Sequence, residues 1–142
     1  MQGLDNRVQT ITSDWDRMFA KITLIAIAGA VGTLARYFVA SMSQRVFGPG
    51  FPLGTLLVNV IGSLLFGIVW SLSEERMAIS PQTRMVLLVG FMGAFTTFST
   101  FAFETMGFVR DSQYVMAFVN ITANCVLGFG AVLIGMWAVK AL

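Results

Sequence analysis

Four long apolar runs constrain this chain more than any other feature of its sequence. They span about Ile22–Met42, Phe51–Leu72, Met85–Val109 and Tyr114–Val139, and each exceeds the ~20 residues with which a helix crosses a bilayer. Only 11% of the 142 residues are charged, whereas about a quarter is usual for a soluble domain. The chain is therefore predicted to be an all-α integral membrane protein with four transmembrane helices.

A polar extension at residues 1–20 precedes the predicted four-helix domain at residues 21–142. The extension mixes Asp with Arg and has no apolar core followed by a cleavage site, so it does not match a signal peptide. We expect this extension to be a short surface helix or a disordered tail. If Met18 is the true start, the extension means little. The loops between the runs are short, which predicts antiparallel neighbouring helices with both chain ends on one side.

The basic residues give almost no preferred orientation. The side that holds the chain ends and the second loop carries six of them, namely Arg7, Arg17, Lys21, Arg76, Arg84 and Lys140. The opposite side carries three, namely Arg36, Arg45 and Arg110. If the chain starts at Met18, the count becomes four against three. The positive-inside rule then gives almost no preferred orientation, so we expect insertion in both orientations and assembly as an antiparallel two-fold homodimer. The scattered charges lack the dense basic patch of a nucleic-acid-binding protein.

Neutral polar residues lie along one face of two predicted helices. Thr55, Asn59 and Ser63 recur every four residues in the second run, and Asn120 and Asn124 do so in the fourth. An unpaired amide in hydrocarbon is costly, so these asparagines need partners or water. Taken alone, such stripes are as consistent with contacts between helices as with a polar pathway.

The third run favours a pathway. Its hydroxyls Thr96, Thr97, Ser99 and Thr100 fall within residues 96–100, soon after Gly93, which predicts an interruption of the third helix. Irregular backbone at membrane depth occurs where it is buried in protein or lines a polar cavity. The amides and carbonyls that such a break frees can hold an ion.

Two aromatic rings and two charged residues complete the predicted site. Phe98 and Phe101 lie three residues apart among the hydroxyls, and the edge of an aromatic ring is positive. Ring edges and neutral donors suit a small, strongly hydrated anion, because they replace water without holding the ion too tightly. Arg36 and Glu104 lie within the apolar runs, each towards an end. Arg36 either draws anions to a vestibule or reaches the interface with Glu104 as its partner.

Three segments together resemble the Fluc/CrcB family of fluoride ion channels: GAVGTLARY at 29–37, PLGTLLVNVIGS at 52–63 and GFMGAFTTFSTFAFET at 90–105. The resemblance covers about residues 21–142. It implies a passive, fluoride-selective channel in the cell (inner) membrane that lets cytoplasmic fluoride escape and so confers fluoride resistance. It also implies an antiparallel, dual-topology homodimer with two pores.

The resemblance further implies roles for particular residues. It implies a fluoride pathway at Phe98, Phe101 and Asn59, with a polar track that includes Thr97, Ser99 and Thr100. Members of the family carry hydroxyls along the fourth segment, where this chain has Asn120 and Asn124, whose amides also donate. A structural sodium ion on the dimer axis is implied as well, not transported and held by backbone carbonyls of Gly93 and Thr96 from both subunits.

Two other functions remain open at this point. Small dual-topology four-helix exporters, of multiple drugs or coupled to protons, depend on a carboxylate in the first membrane helix, and Ile22–Met42 contains none. The other alternative is a structural subunit of a membrane complex in which the motif only packs helices. No nucleophile–base pair or metal-ligand set indicates an enzyme.

Overall fold

The computed structural model describes the backbone of residues 2–48 and 50–141, and the side chains of residues 14–48 and 50–141. Within these ranges every long element is helical. The four helical spans that are long and apolar enough to cross a membrane are Asp14–Phe47, Leu53–Glu74, Pro81–Arg110 and Tyr114–Lys140. The structure therefore confirms the prediction of an all-α chain with four helices of the length and composition that membrane spans require.

The first helix is longer than its apolar run. Helix α1 continues without a break over Gln2–Phe47, so the backbone of residues 2–20 belongs to it. Residue 1 and the side chains of residues 2–13, which are part of the predicted polar extension, lie outside the described part of the chain. With 46 residues at ~1.5 Å each, α1 is about 69 Å long, so it extends well beyond a hydrocarbon core of ~30 Å.

Helices α2 and α6 form the most closely packed pair. Helix α2 spans Leu53–Glu74 and α6 spans Tyr114–Lys140. A Cβ atom built on Gly67 would overlap the carbonyl oxygen of Val132, and one built on Gly135 would overlap that of Leu64. Small residues of this kind let the backbones of membrane helices approach one another. The close approach brings the asparagine-bearing faces of the two helices together.

The third span is interrupted twice. It begins as α3, Pro81–Met85, widens into a π-helical segment at Val86–Met92 and continues as α4, Gly93–Phe95. Thr96 and Thr97 are then extended, with ψ of 161° and 109°, before α5 resumes the helix. The interruption lies within the hydroxyl cluster of the sequence.

Helix α5, Phe98–Arg110, begins at a side-chain cap. The Thr97 hydroxyl accepts a hydrogen bond from the amide of Thr100 at 3.2 Å, which satisfies one of the amides left free at a helix start. Short loops then connect α5 to α6, and α1 to α2. The cap fixes where the helix restarts and therefore where the following rings point.

Candidate functional site

Asn59 on α2 holds the interruption of the third span. Its Oδ1 accepts a hydrogen bond from the amide of Thr97 at 2.9 Å, and its Nδ2 donates to the Thr97 carbonyl at 3.3 Å. The side-chain amide thus pairs with both polar groups of an extended residue, as a neighbouring strand would. Extended backbone at this depth is satisfied by protein, which is the condition for tolerating it inside a membrane.

The hydroxyls of the motif form a compact group around Thr97. The Thr97 hydroxyl donates to Thr100 Oγ1 at 2.8 Å, and Ser99 Oγ lies 3.4 Å from Thr97 Oγ1. Thr97 is buried, whereas Ser99 and Thr100 are exposed on the surface of the chain. The structure therefore presents two of the three hydroxyls outward and uses the third to build the break.

A chain of hydrogen bonds runs from Asn59 across α6 to α5. Asn59 Nδ2 donates to Asn124 Oδ1 at 3.0 Å, and Asn124 Nδ2 donates to Asn120 Oδ1 at 3.1 Å and to the Asn120 carbonyl at 3.0 Å. Asn120 Nδ2 donates to Thr105 Oγ1 at 2.9 Å, and Thr105 donates to the Phe101 carbonyl at 2.8 Å. Asn59, Asn120 and Asn124, predicted from separate runs, therefore belong to one network. Sequence reasoning missed Thr105, although it follows Phe101 by one helical turn.

The two predicted rings are neighbours. Phe98 and Phe101 have centroids 5.6 Å apart and planes inclined by 60°, so the edge of one faces the other. Phe98 is 79% exposed on the single chain and Phe101 is half-buried. Both line a groove of about 290 Å³ together with Asn59, Ser63 and Asn124. Ring edges and neutral polar groups therefore meet on one surface.

A second groove lies on the other side of Phe98. It has a volume of about 370 Å³ and shares Asn59, Ser63 and Phe98 with the first, but is completed by Gly93 and Thr96 of the third span. Asn59 and Ser63 therefore border both grooves. Both grooves are open to the surface of the single chain rather than enclosed within it.

Glu104 lies in a wider cavity towards the side opposite the chain ends. This cavity, of about 590 Å³, is lined by Ser43, Thr55, Thr100 and Glu104 among others. Thr55 Oγ1 donates to Glu104 Oε1 at 2.7 Å. Arg36 is half-buried on α1 and forms no ion pair with Glu104 within the described part of the chain. The observed partner of Glu104 is therefore the Thr55 hydroxyl.

The break also frees a backbone carbonyl. In a continuous helix the Thr97 amide would donate to the carbonyl of Gly93, but here it donates to Asn59. Gly93 is exposed, and Thr96 turns both its amide and its hydroxyl back to the Met92 carbonyl, each at 3.0 Å. Gly93 and Thr96, for which the family resemblance implies a structural sodium ion, thus lie at this irregular turn. No cluster of three His, Cys, Asp or Glu side chains occurs in the described ranges.

Comparisons with known proteins identify the family of this chain. The model of the family described as "CrcB-like protein, Camphor Resistance (CrcB)" matches residues 23–136. The chain is 48% identical over 119 residues to a fluoride-specific ion channel FluC of Solidesulfovibrio magneticus, covering 84% of this chain and 95% of the relative. It is 48% identical over 118 residues to the FluC of Nitrosococcus oceani, covering 83% and 94%.

A third relative points the same way. The FluC of Maridesulfovibrio salexigens is 46% identical over 116 residues, covering 82% of this chain and 92% of the relative. Each match covers more than four fifths of this chain and more than nine tenths of the relative. The resemblance inferred from the three motifs is thereby confirmed, and the chain belongs to the CrcB family.

Proposed function

We propose that this protein is a passive channel selective for fluoride, which lets the ion leave the cytoplasm and so confers fluoride resistance. The observation that carries the proposal is the meeting of the Phe98 and Phe101 rings with neutral hydrogen-bond donors at a helix break. The relatives named fluoride-specific ion channels, at up to 48% identity, support the choice of ion.

The chemistry of the groove suits this anion. Fluoride is small and strongly hydrated, so a pore must replace its water with other hydrogen-bond donors. Hydroxyls, amides and positive ring edges do this without a fixed charge that would trap the ion. Among the side chains that the structure describes, no Lys or Arg lines either groove beside Phe98. The absence of a fixed cation there favours release as well as entry.

The proposed path connects the vestibule with the grooves. It begins at the cavity that contains Glu104, with Arg36 as a source of positive potential one helical turn before the lining residue Ala40 on α1. It then follows the hydroxyls and amides of the motif to the two rings, passing Thr97, Ser99, Thr100, Asn59, Asn120 and Asn124. The hydrogen bonds among these residues support a single continuous polar line.

The direction of transport follows from the properties of hydrogen fluoride. The neutral acid crosses membranes from acidic surroundings and dissociates in the more neutral cytoplasm, which traps the anion inside. A potential that is negative inside then drives fluoride outward through any selective pore. Export across the cell (inner) membrane therefore needs no energy coupling.

The working unit in this proposal is an antiparallel homodimer with dual topology and two pores. A ring that is 79% exposed beside polar groups, as Phe98 is, needs a covering surface to complete a pathway. The weak Lys/Arg imbalance supports insertion in both orientations. A second copy of the chain supplies the missing surface and gives each dimer two equivalent pores.

The sodium ion of this proposal is structural and is not transported. Unwound backbone in membrane proteins coordinates Na⁺ through its carbonyls. The redirected Thr97 amide and the exposed Gly93 support such a site at the carbonyls of Gly93 and Thr96. When bound, the ion would neutralise carbonyl dipoles gathered from two subunits.

Fluoride efflux from liposomes tests the function. Purified protein should release trapped fluoride down its gradient at the same rate whether or not a proton gradient is imposed. Phe98→Ile or Phe101→Ile should slow release at least about tenfold, since each removes a ring edge from the groove. Phe118→Ile, an equally outward-facing ring on α6 that lines neither groove, is the matched control.

Three outcomes would count against the proposal. Strictly proton-dependent release would favour an exporter, and no release would favour a structural subunit. Unchanged release by both groove variants would remove the rings from the pathway. Size-exclusion chromatography of each variant separates loss of conduction from loss of assembly.

A further inference from the structure

The direction of every hydrogen bond in the asparagine chain is fixed by one backbone group. The Thr97 amide can only donate, so the Asn59 atom that faces it is Oδ1. Asn59 Nδ2 must then be the atom that faces Asn124, which therefore presents its Oδ1. The same reasoning directs Asn124 Nδ2 to Asn120 and Asn120 Nδ2 to Thr105. The amide orientations thus follow from chemistry and not from a choice of rotamer.

The consequence is that the asparagines beside the rings have no spare donors. Both Nδ2 hydrogens of Asn59 are used, on the Thr97 carbonyl and on Asn124. The Nδ2 group of Asn124 donates to two oxygens of Asn120. An anion that enters the groove with this network intact must therefore find a different hydrogen-bond donor.

Ser63 supplies a hydroxyl at the required place. It lies one helical turn after Asn59 on α2 and borders both grooves beside Phe98. It is half-buried, and within the described part of the chain its hydroxyl makes no hydrogen bond. Because Ser63 lines the two open grooves, an ion or a water molecule in a groove can serve as the partner of its hydroxyl.

Gly128 on α6 keeps this hydroxyl accessible. A Cβ atom built on Gly128 would lie 3.7 Å from Ser63 Oγ and would touch no other atom within 4 Å. The glycine therefore leaves an opening directly in front of the hydroxyl, on the wall of the groove that also carries Phe98 and Phe101. A small ion between the rings and α6 can approach Ser63 from that opening.

We infer that the Ser63 hydroxyl contacts the conducted anion, as the donor next to the Phe98 and Phe101 edges. The inference rests on the proposed fluoride channel and names a contact within it. Asn59 and Asn124 then shape the groove, while Ser63 replaces a water molecule of the ion. A hydrogen bond to an ion is stronger than one between neutral groups.

Ser63→Ala tests the inference in liposomes. Removing the hydroxyl should slow fluoride efflux about tenfold or more, since the ion loses a charge-assisted hydrogen bond. Ser71→Ala, which removes a hydroxyl from the buried side of the same helix, should keep the wild-type rate. Size-exclusion chromatography verifies that both variants assemble as the wild type does.

Gly128→Ala is the second variant. It leaves every hydroxyl in place and covers Ser63 with a methyl group at ordinary contact distance, so efflux should again fall while the helix keeps or gains stability. Wild-type efflux by both Ser63→Ala and Gly128→Ala would overturn the inference while leaving the channel intact. A wild-type protein that releases no fluoride would instead overturn the proposed function, and this inference with it.

Discussion

Asn59 combines two tasks that sequence reasoning alone does not separate. The position of an asparagine inside an apolar helix predicts that the amide has a partner. The structure identifies this partner as the backbone of Thr97, with a further bond to Asn124. Asn59 therefore maintains the helix break as well as bordering the grooves.

Asn59→Asp should abolish fluoride efflux. A carboxylate cannot donate to the Thr97 carbonyl or to Asn124 Oδ1, so two attractive contacts become repulsive. Its negative charge also opposes an anion in the adjacent groove. We expect liposome efflux to fall at least about a hundredfold, to the level of protein-free liposomes, in line with the loss of two half-buried hydrogen bonds. Efflux near the wild-type rate would contradict both roles of Asn59, in maintaining the helix break and in bordering the path of the anion.

Other residues of the site differ in how well the sequence predicts them. Phe98 and Phe101 stand out because they interrupt a cluster of hydroxyls, and the structure brings their rings together. Thr105 gave no such signal, since a lone threonine in an apolar helix usually bonds its own backbone. One of the two predictions for Arg36 makes Glu104 its partner, whereas the observed partner of Glu104 is Thr55. Which polar groups meet depends on helix rotation, which spacing alone does not determine.

At the level of elements, the third span was the most informative. Its hydroxyls predict an interruption, because such side chains compete with helical hydrogen bonds. They do not predict the π-helical segment at Val86–Met92, which packs against α1. The first helix is instead more continuous than the sequence suggests. Its polar start suggested a separate segment, yet the backbone continues as one helix from Gln2.

The crossing of α2 and α6 depends on a glycine. Gly67→Ala should lower the free energy of unfolding in detergent by about 1–3 kcal/mol, the usual cost of inserting a methyl group into a full interface. The reason is the overlap of the new Cβ with the Val132 carbonyl. Thermal unfolding of the purified protein measures the effect.

Gly130→Ala on α6 is the matched control for this crossing. A Cβ at Gly130 meets nothing within 4 Å, so the substitution should be neutral or stabilising. Equal thermal unfolding midpoints for the Gly67 and Gly130 variants would show that α2 and α6 adjust freely, contrary to their close packing. Fluoride efflux should fall only in the Gly67 variant, because α2 and α6 carry the asparagines that join the two helices.

On the scale of the whole molecule, the sequence predicts four spans and both chain ends on one side. The exposed surface shows that a single chain does not cover its own grooves. Apolar side chains such as Phe98, Phe103 and Phe129 are more than 70% exposed, and the grooves are open on the same surface. Lipid and a second copy of the chain are the two available covers. Amino-acid spacing does not distinguish them, because both favour apolar surfaces.

Insertion in both orientations is testable with one thiol. Ser112→Cys in a Cys125→Ser background places a single cysteine in the loop between α5 and α6. An impermeant thiol reagent applied to intact cells should label about half of the protein, since the charge bias is weak. The same labelling of permeabilised cells measures the total amount of protein that the reagent can modify. Labelling of all or none of the molecules would exclude dual topology.

The central claim is that uncharged donors and ring edges at a helix break conduct fluoride and exclude larger halides. The most direct measurement is the efflux of fluoride and chloride by the wild-type protein from one preparation of liposomes, with potassium carried by an ionophore. The account predicts rapid loss of fluoride while chloride is retained. Release of the two ions at similar rates, or retention of both, would contradict it.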